Sequence, residues 1–212
     1  MHAMIGKGNN IHCVEIHKAL VGANVFSVIR TILLSNIENL YKFCYNISAD
    51  LFNNVKEFRV QFFESELPEM IIERFSEMQV KTKKSVIRLF AYISKFASGN
   101  EKILQYFLEN EILLAISENF DFNDVMPFAI IAINQTISAG MKTQGTEVYD
   151  TFLEQLYNDD FCDAIEEKID ELSNMDSDDD DENHTATYNR ANEAMLQNLY
   201  EINSIINMLK SK

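Results

Sequence analysis

Apolar residues recur along this chain at the spacing of one helix face, in blocks separated by short polar turns. The clearest block comprises Val86, Ile87, Leu89, Phe90, Ile93, Phe96 and Ala97. Residues three and four apart lie on the same side of a helix, so this block predicts a helix with a broad apolar stripe. The same reasoning predicts long helices over 35–48, 83–98, 124–139 and 188–209.

The blocks themselves repeat. The segment 62–75, FFESELPEMIIERF, returns as FLENEILLAISENF at 107–120, and weaker copies begin at 156 and at 20. Each copy precedes one of the long helices, so the repeating unit is a short helix, a tight turn, a second helix and a long third helix. A period of roughly 40 to 50 residues is typical of helical solenoids, whose units bury their apolar faces against one another. The predicted units are 11–50, 51–99, 100–140 and 141–212, after a flexible N-terminus at 1–10.

Glycine and proline are scarce, with six and two copies, and this argues against β-rich folds and phosphate-binding loops. Two of the long helices end in a small residue followed by glycine, at Ser98-Gly99 and Ala139-Gly140. Glycine adopts the left-handed conformation that commonly ends a helix, so both glycines are predicted to take it.

The turns carry a family resemblance. The segment 64–71, ESELPEMI, resembles the armadillo-repeat turn Glu-x-Gly-x-Leu-Pro-x-Leu-Val, with Pro68 in the first turn of a helix. Asn46-Ile47-Ser48-Ala49 resembles the end of the armadillo third helix. The turn glycine is matched only by Gly22. The resemblance implies an all-α, armadillo-like right-handed superhelix of about four three-helix repeats.

The resemblance also implies where a partner binds, because armadillo third helices line a concave groove that takes an extended peptide. Asn46 matches the groove asparagine, and the matching positions in the next two units are Lys95 and Thr136. Tyrosine and arginine are common in binding hot spots. The less apolar face of the third helices therefore supplies the predicted partner-binding residues Tyr41, Tyr45, Asn46, Arg88, Tyr92, Lys95 and Asn134.

The net charge of −15 lies almost entirely in the last third of the chain. From 141 onward there are 18 acidic and 5 basic residues, which leaves a net charge of only −2 for the remainder. An acidic surface repels phosphates, so a nucleic-acid partner is not expected. A protein partner with a basic or extended segment is expected instead.

The acidity peaks in a segment predicted to be a disordered loop at 174–187, because a block of like charges repels itself and cannot pack. Its acidic residues are Asp176, Asp178, Asp179, Asp180, Asp181 and Glu182. Counted from Asp176, a calcium loop of the EF-hand type would need Gly at 181 and Glu at 187, where Asp181 and Thr187 stand. A specific calcium site is therefore not predicted.

No catalytic, cofactor or metal site is predicted. His12, Cys13 and His17 are close in sequence, but three ligands without a fourth make a poor zinc site. Cys13, Cys44 and Cys162 lack a nearby histidine arrangement that would activate a nucleophile, and Cys44 is predicted to be a core residue. The three scattered cysteines, a polar start and the absence of an apolar run of about 20 residues indicate a protein of the cytoplasm or nucleus.

The sequence therefore predicts a protein-binding scaffold or adaptor that is not an enzyme. Two alternatives stay open. One is an exchange-factor-like regulator of a GTPase or chaperone. The other is a homo-oligomeric structural protein, since the apolar residues of 24–34 exceed what a solenoid end should expose and suggest a dimer through the N-terminal unit or a piece of a longer array.

Overall fold

The computed structural model describes residues 15–16, 18–20, 22–35, 37–122, 124–174 and 182–211, with side-chain positions for all of these except 182–190. The predicted flexible segment 1–10 lies outside these ranges. Every regular element within them is helical and no strand occurs among them, which confirms the all-α prediction. In the same ranges no helix is both long and apolar enough to cross a membrane.

The chain divides into two compact bodies, Met1–Ile93 and Ser94–Lys212. The helices of the N-terminal body are α1 (Val25–Leu34), α2 (Glu38–Asn54), α3 (Lys56–Phe63), α4 (Leu67–Phe75) and α5 (Val80–Ser94). The C-terminal body contains α6 (Glu101–Glu109), α7 (Ile112–Ser117), α8 (Met126–Gly140), α9 (Glu147–Leu156), α10 (Asp159–Asn174) and α11 (Glu182–Lys210), with 3₁₀ turns at Ala97–Gly99 and Met141–Thr143.

The order of helix lengths follows the predicted unit. Helices α3, α4 and α5 have 8, 9 and 15 residues, and α6, α7 and α8 have 9, 6 and 15 residues. The predicted long helices at 83–98 and 124–139 are observed as α5 and α8 with shifted ends. Pro68 lies in the first turn of α4, as predicted, because its missing N–H is not needed there.

Phenylalanine rings fill the core of the N-terminal body. Phe52, Phe58 and Phe62 are fully buried, and the ring centroids of Phe52 and Phe62 are 5.5 Å apart in an edge-to-face arrangement. Each such ring contributes about 1.5–3 kcal/mol by leaving water. These rings come from α2 and α3, so they fix α2, which carries three of the seven predicted binding residues.

The turns before α1 and α7 each contain a residue in the left-handed conformation, and in neither turn is that residue a glycine. Asn24 has φ of 58° and Glu111 has φ of 51°. Gly22, which was matched to the armadillo turn glycine, does not have a positive φ. For Glu111 this conformation costs roughly 1–2 kcal/mol, whereas asparagine tolerates it better because its short polar side chain can bond locally.

The prediction of left-handed glycines at Gly99 and Gly140 is wrong. Gly140 has φ of −59° and ψ of −42°, which are right-handed helical values. Among the described glycines only Gly145 has a positive φ. Gly140 is needed for a different reason: a Cβ at this position would overlap the ring of Phe152, which is fully buried.

Helices α10 and α11 pack through a seam with a seven-residue period. Its buried residues on α11 are Asn192, Met195, Leu199, Ile202, Ile206 and Leu209. The spacings alternate between three and four, which is the a/d pattern of paired helices. The buried residues of α10 include Lys168, which is only 3% exposed and whose Nζ lies 2.7 Å from Oε2 of Glu171 on the same helix.

Candidate partner-binding surface

Helices α2 and α5 run side by side in the same direction. Gln79 Nε2 lies 3.5 Å from Glu38 Oε2 near their starts, and Arg88 Nη1 lies 3.4 Å from Asn46 Oδ1 further along. The two pairs are separated by 41 and 42 residues in sequence. A nearly constant separation means that the helices are parallel, and this separation lies within the predicted repeat period of roughly 40 to 50 residues.

Arg88 joins the two helices through polar contacts at the surface. Its Nη2 donates to Asp50 Oδ1 at 2.7 Å, and both side chains of this ion pair are about a third or more exposed, at 32% and 42%. An ion pair with that exposure contributes about 0–1 kcal/mol to folding. Its main consequence is therefore geometric, because it holds Arg88 in place beside Asn46 at the surface.

Tyr92 completes this cluster, since the guanidinium carbon of Arg88 lies 5.7 Å from the centre of its ring. The structure thus brings together three predicted binding residues, Asn46, Arg88 and Tyr92. Sequence reasoning missed Asp50. The signal was available, because Asp50 follows Asn46 by four residues and so lies on the same face of α2. A cation, a ring and an amide therefore lie side by side at the surface of this body.

The structure corrects the prediction that Tyr41 and Tyr45 are binding residues, because it places both side chains in the interior and not on an accessible face. Tyr41 is 8% exposed and its hydroxyl donates to the carbonyl of Leu33 at 3.2 Å. Arg74 Nη1 donates to the same hydroxyl at 3.3 Å. Tyr45 is 1% exposed. The face of α2 opposite these rings is the one that faces water.

The hydroxyl of Tyr45 is buried and has no hydrogen-bond partner among the described residues. Burial raises the pKa of Tyr45 well above its ordinary value, and the nearby charge of Arg74 opposes this only partly. Cys44 beside it is also buried, as predicted, and burial raises the pKa of its thiol. A buried thiol with a raised pKa is a weak nucleophile at neutral pH.

The C-terminal body carries a similar polar contact between third helices. Asn134 Nδ2 on α8 donates to Asn198 Oδ1 on α11 at 3.3 Å, and both asparagines are half-buried. Asn198 was not predicted. Lys95, which follows α5, is exposed, and partial desolvation lowers the pKa of its ammonium group.

The pattern of buried residues corrects the predicted correspondence between positions of α2 and α8. The buried pattern of α2 recurs in α8 with Asn134 in the place of Asn46. Thr136, which was matched to Asn46, is instead fully buried and donates to the carbonyl of Ala132 at 2.8 Å. In this register the buried residues Tyr41, Cys44, Tyr45, Ser48 and Ala49 correspond to Ala129, Ala132, Ile133, Thr136 and Ile137.

Other predicted features lie outside the described part of the chain. These are Asp176 and Asp178–Asp181 of the acidic loop, together with the cluster of His12, Cys13 and His17. The backbone of Glu182 begins α11, and its side chain is not among those described. Within the described ranges no group of three or more His, Cys, Asp and Glu side chains is placed to hold a metal ion.

Comparison with known proteins identifies no relative of this chain. No family model, no curated protein and no solved structure matches the chain.

Proposed function

We propose that this chain is an armadillo-like superhelix of four three-helix units that binds a segment of another protein on its third helices. The observation that carries the proposal is the parallel pairing of α2 and α5, joined at the surface by Asn46, Asp50 and Arg88. The recurring order of helix lengths and the left-handed turns at Asn24 and Glu111 support the armadillo-like part.

The asparagines provide the means of binding. Asn46 uses its Oδ1 on Arg88, so its Nδ2 donor has no partner in the described part of the chain. Asn134 donates through Nδ2, so its Oδ1 acceptor is likewise unused there. A side-chain amide carries both a donor and an acceptor, as does a peptide backbone. An extended partner segment would satisfy these groups with its own main chain, while Tyr92 supplies a ring for one of its side chains.

Charge steers the encounter in this proposal. The acidic last third of the chain attracts a partner with basic residues, and such attraction raises the association rate at low ionic strength. The association rate should therefore fall as salt is added, because ions screen exposed charges beyond roughly 10 Å. The resulting function is that of a scaffold or adaptor in the cytoplasm or nucleus.

Replacing Asn46 and Arg88 together with alanine is expected to weaken binding to the partner at least tenfold. The double variant removes the amide donor and the guanidinium that holds it, and truncation of such central residues commonly costs 1 kcal/mol or more each. Affinity capture from extract of the native cells, with mass spectrometry at low and high salt, would identify the partner. Surface plasmon resonance with the purified partner would then measure the loss.

Gln61→Ala is the matched control, because it removes an exposed amide from α3, which is not a third helix of a predicted unit. The control should bind as the unmodified protein does. Equal binding by the double variant, with an unchanged melting temperature, would show that the third helices are not the binding surface.

A second candidate function, self-association, is favoured by an exposed apolar stripe on α2. Ile37, Leu40, Phe43 and Ile47 are 48%, 39%, 60% and 40% exposed and are spaced by three, three and four residues. Leu40 lies three residues before Phe43 and Ile47 lies four residues after it, so the two are nearly equidistant from Phe43. Two copies of α2 packed antiparallel would place Phe43 against Phe43 and Leu40 against Ile47, as a two-fold interface requires.

Under this second function Phe43→Glu is expected to convert a dimer to a monomer, because a charge at the centre of an apolar interface is desolvated without a partner. Sedimentation equilibrium over a range of concentrations measures the change. Val60→Glu on α3, where Val60 is 47% exposed, is the control and should leave the association state unaltered. A monomeric unmodified chain at high concentration would eliminate this function.

A further inference from the structure

A cavity of about 200 Å³ lies among α2, α4 and α5, within the N-terminal body. Its walls come from the start of α2, the end of α4, the connection that follows α4 and the start of α5, and they include Glu38, Arg74, Glu77, Met78 and Thr82. Water occupies about 30 Å³ per molecule in the liquid, so the cavity has room for about seven non-hydrogen atoms. None of these residues belongs to the proposed partner-binding surface.

Arg74 brings a positive charge to the wall of this cavity. Its side chain is half-buried, and its hydrogen bonds use Nη1 alone, which donates to the carbonyl of Leu33 at 2.5 Å and to the hydroxyl of Tyr41 at 3.3 Å. Among the residues that the structure describes, Arg74 forms no ion pair, and its Nε and Nη2 have no acceptor. These two nitrogens form an edge of the guanidinium that binds a carboxylate through two parallel hydrogen bonds.

Thr82 supplies a second donor that the fold itself does not use. Thr82 is only 7% exposed, yet its hydroxyl has no hydrogen-bond partner in the described part of the chain. Thr136, by contrast, donates to the carbonyl of Ala132, four residues earlier on its own helix. The hydroxyl of Thr82 is not sealed in the core, as that of Tyr45 is, but is accessible from the cavity that it borders. Because buried polar groups are normally paired, this hydroxyl points to a ligand in the cavity.

Two carboxylates border the same cavity on exposed side chains. Glu38 begins α2 and Glu77 lies in the connection between α4 and α5. Neither forms an ion pair with Arg74. The cavity therefore combines a half-buried cation and a free hydroxyl with two acidic groups nearer the solvent. A ligand that matches this arrangement carries a negative group with a positive group close to it.

We propose that this cavity binds a small α-amino acid. The carboxylate of the ligand accepts hydrogen bonds from Nε and Nη2 of Arg74 and from the hydroxyl of Thr82. Its ammonium group pairs with Glu38 and Glu77, and its side chain packs on Met78, which is half-buried. Glycine, alanine, serine and valine have about five to eight non-hydrogen atoms and so match the volume of the cavity.

The same charges argue against other ligands. Phosphate carries more than one negative charge and is repelled by the two carboxylates. A divalent cation is repelled by Arg74, and the described residues include no group of three or more His, Cys, Asp and Glu side chains placed to hold a metal ion. An apolar ligand would leave the guanidinium of Arg74 and the hydroxyl of Thr82 desolvated without partners, which is unfavourable.

The test is a titration of the isotopically labelled full chain with glycine, alanine, serine and valine at millimolar concentrations, followed by NMR. The methyl resonances of Met78 and Thr82 should shift with at least one of the four. Analogues of the tightest ligand without its ammonium group or without its carboxylate, such as propionate and ethylamine for alanine, should bind about tenfold more weakly. No shift with any of the four amino acids would overturn the proposal, as would equal affinity for either analogue.

Thr82→Val removes the unpaired hydroxyl and keeps the shape of the side chain. The melting temperature of this variant should not fall, whereas its affinity for the amino acid should drop about fivefold or more. Thr136→Val is the matched control, because Thr136 is fully buried and lies outside the cavity, and its affinity should be unchanged. Unchanged affinity in a stably folded Thr82→Val protein would place the ligand elsewhere and refute this site.

Discussion

Gly140→Ala is expected to lower the free energy of unfolding by about 1–3 kcal/mol. Alanine normally stabilises a helix over glycine by up to about 1 kcal/mol, so propensity alone would give the opposite sign. The added methyl group, however, would overlap the ring of Phe152, which is fully buried and packed on all sides. Overpacking of a dense core costs typically 1–3 kcal/mol and outweighs the gain, because the ring has no room to move. Urea denaturation followed by circular dichroism measures the change.

Two further variants isolate the cause. Gly99→Ala places a methyl group where no atom lies within 4 Å, and it should change stability by no more than about 0.5 kcal/mol. Phe152→Leu in the Gly140→Ala background should recover part of the loss, so the two substitutions should be strongly non-additive. Additive effects, or a stabilised Gly140→Ala protein, would contradict the close contact with Phe152.

Tyr45→Phe is expected to raise the free energy of unfolding by about 1–2 kcal/mol. The substitution keeps the buried ring and removes only a hydroxyl that lacks a partner among the described residues. An unsatisfied buried polar group costs about 1–3 kcal/mol, and its removal without a change of shape recovers much of that. Chemical denaturation at neutral pH measures the gain. Tyr41→Phe is the contrasting variant: its hydroxyl bonds to Leu33 and Arg74, so its loss should destabilise.

The advantage of Tyr45→Phe should grow as the pH rises above about 10. Burial raises the pKa of Tyr45 in the folded state, whereas an unfolded tyrosine ionises near pH 10. Above that pH the unfolded chain of the unmodified protein loses a proton that the folded chain retains, so alkali favours unfolding. The free energy of unfolding of the unmodified protein is therefore unaffected by this group below pH 10 and declines above it. The phenylalanine variant lacks the ionisable hydroxyl. If the difference in free energy of unfolding between the two proteins does not change with pH, the raised pKa of Tyr45 is refuted.

The helices were predictable because their apolar positions recur at a helical period, and α5 and α8 were located from that period alone. The rotation of α2 about its axis was not predictable in the same way. Leu40, Phe43 and Ile47 are as apolar as the tyrosines beside them, so α2 is apolar on most of its circumference. Which side packs inward is decided by neighbouring helices, and Tyr41 and Tyr45 were for that reason placed on the wrong face.

The candidate surface was predictable in part for similar reasons. Arg88, Tyr92 and Asn46 could be chosen because residue type and helical position restrict the options. The contact between Arg88 and Asp50 depends on the distance between two helices, which a local pattern does not contain. The role of Gly140 likewise depends on Phe152, twelve residues away on another helix. A helix-ending glycine and a close-packing glycine look identical in sequence.

The ion pair of Lys168 is complete within α10. Glu171 lies three residues further along the same helix, so the pair forms however a neighbouring helix is aligned. The lysine is therefore buried without an unpaired cation, because its counterion lies on its own helix. Loss of Glu171 alone would leave a buried charge without a partner, whereas loss of both residues would not. An exposed acidic residue is thus constrained in substitution by a buried basic residue one turn away.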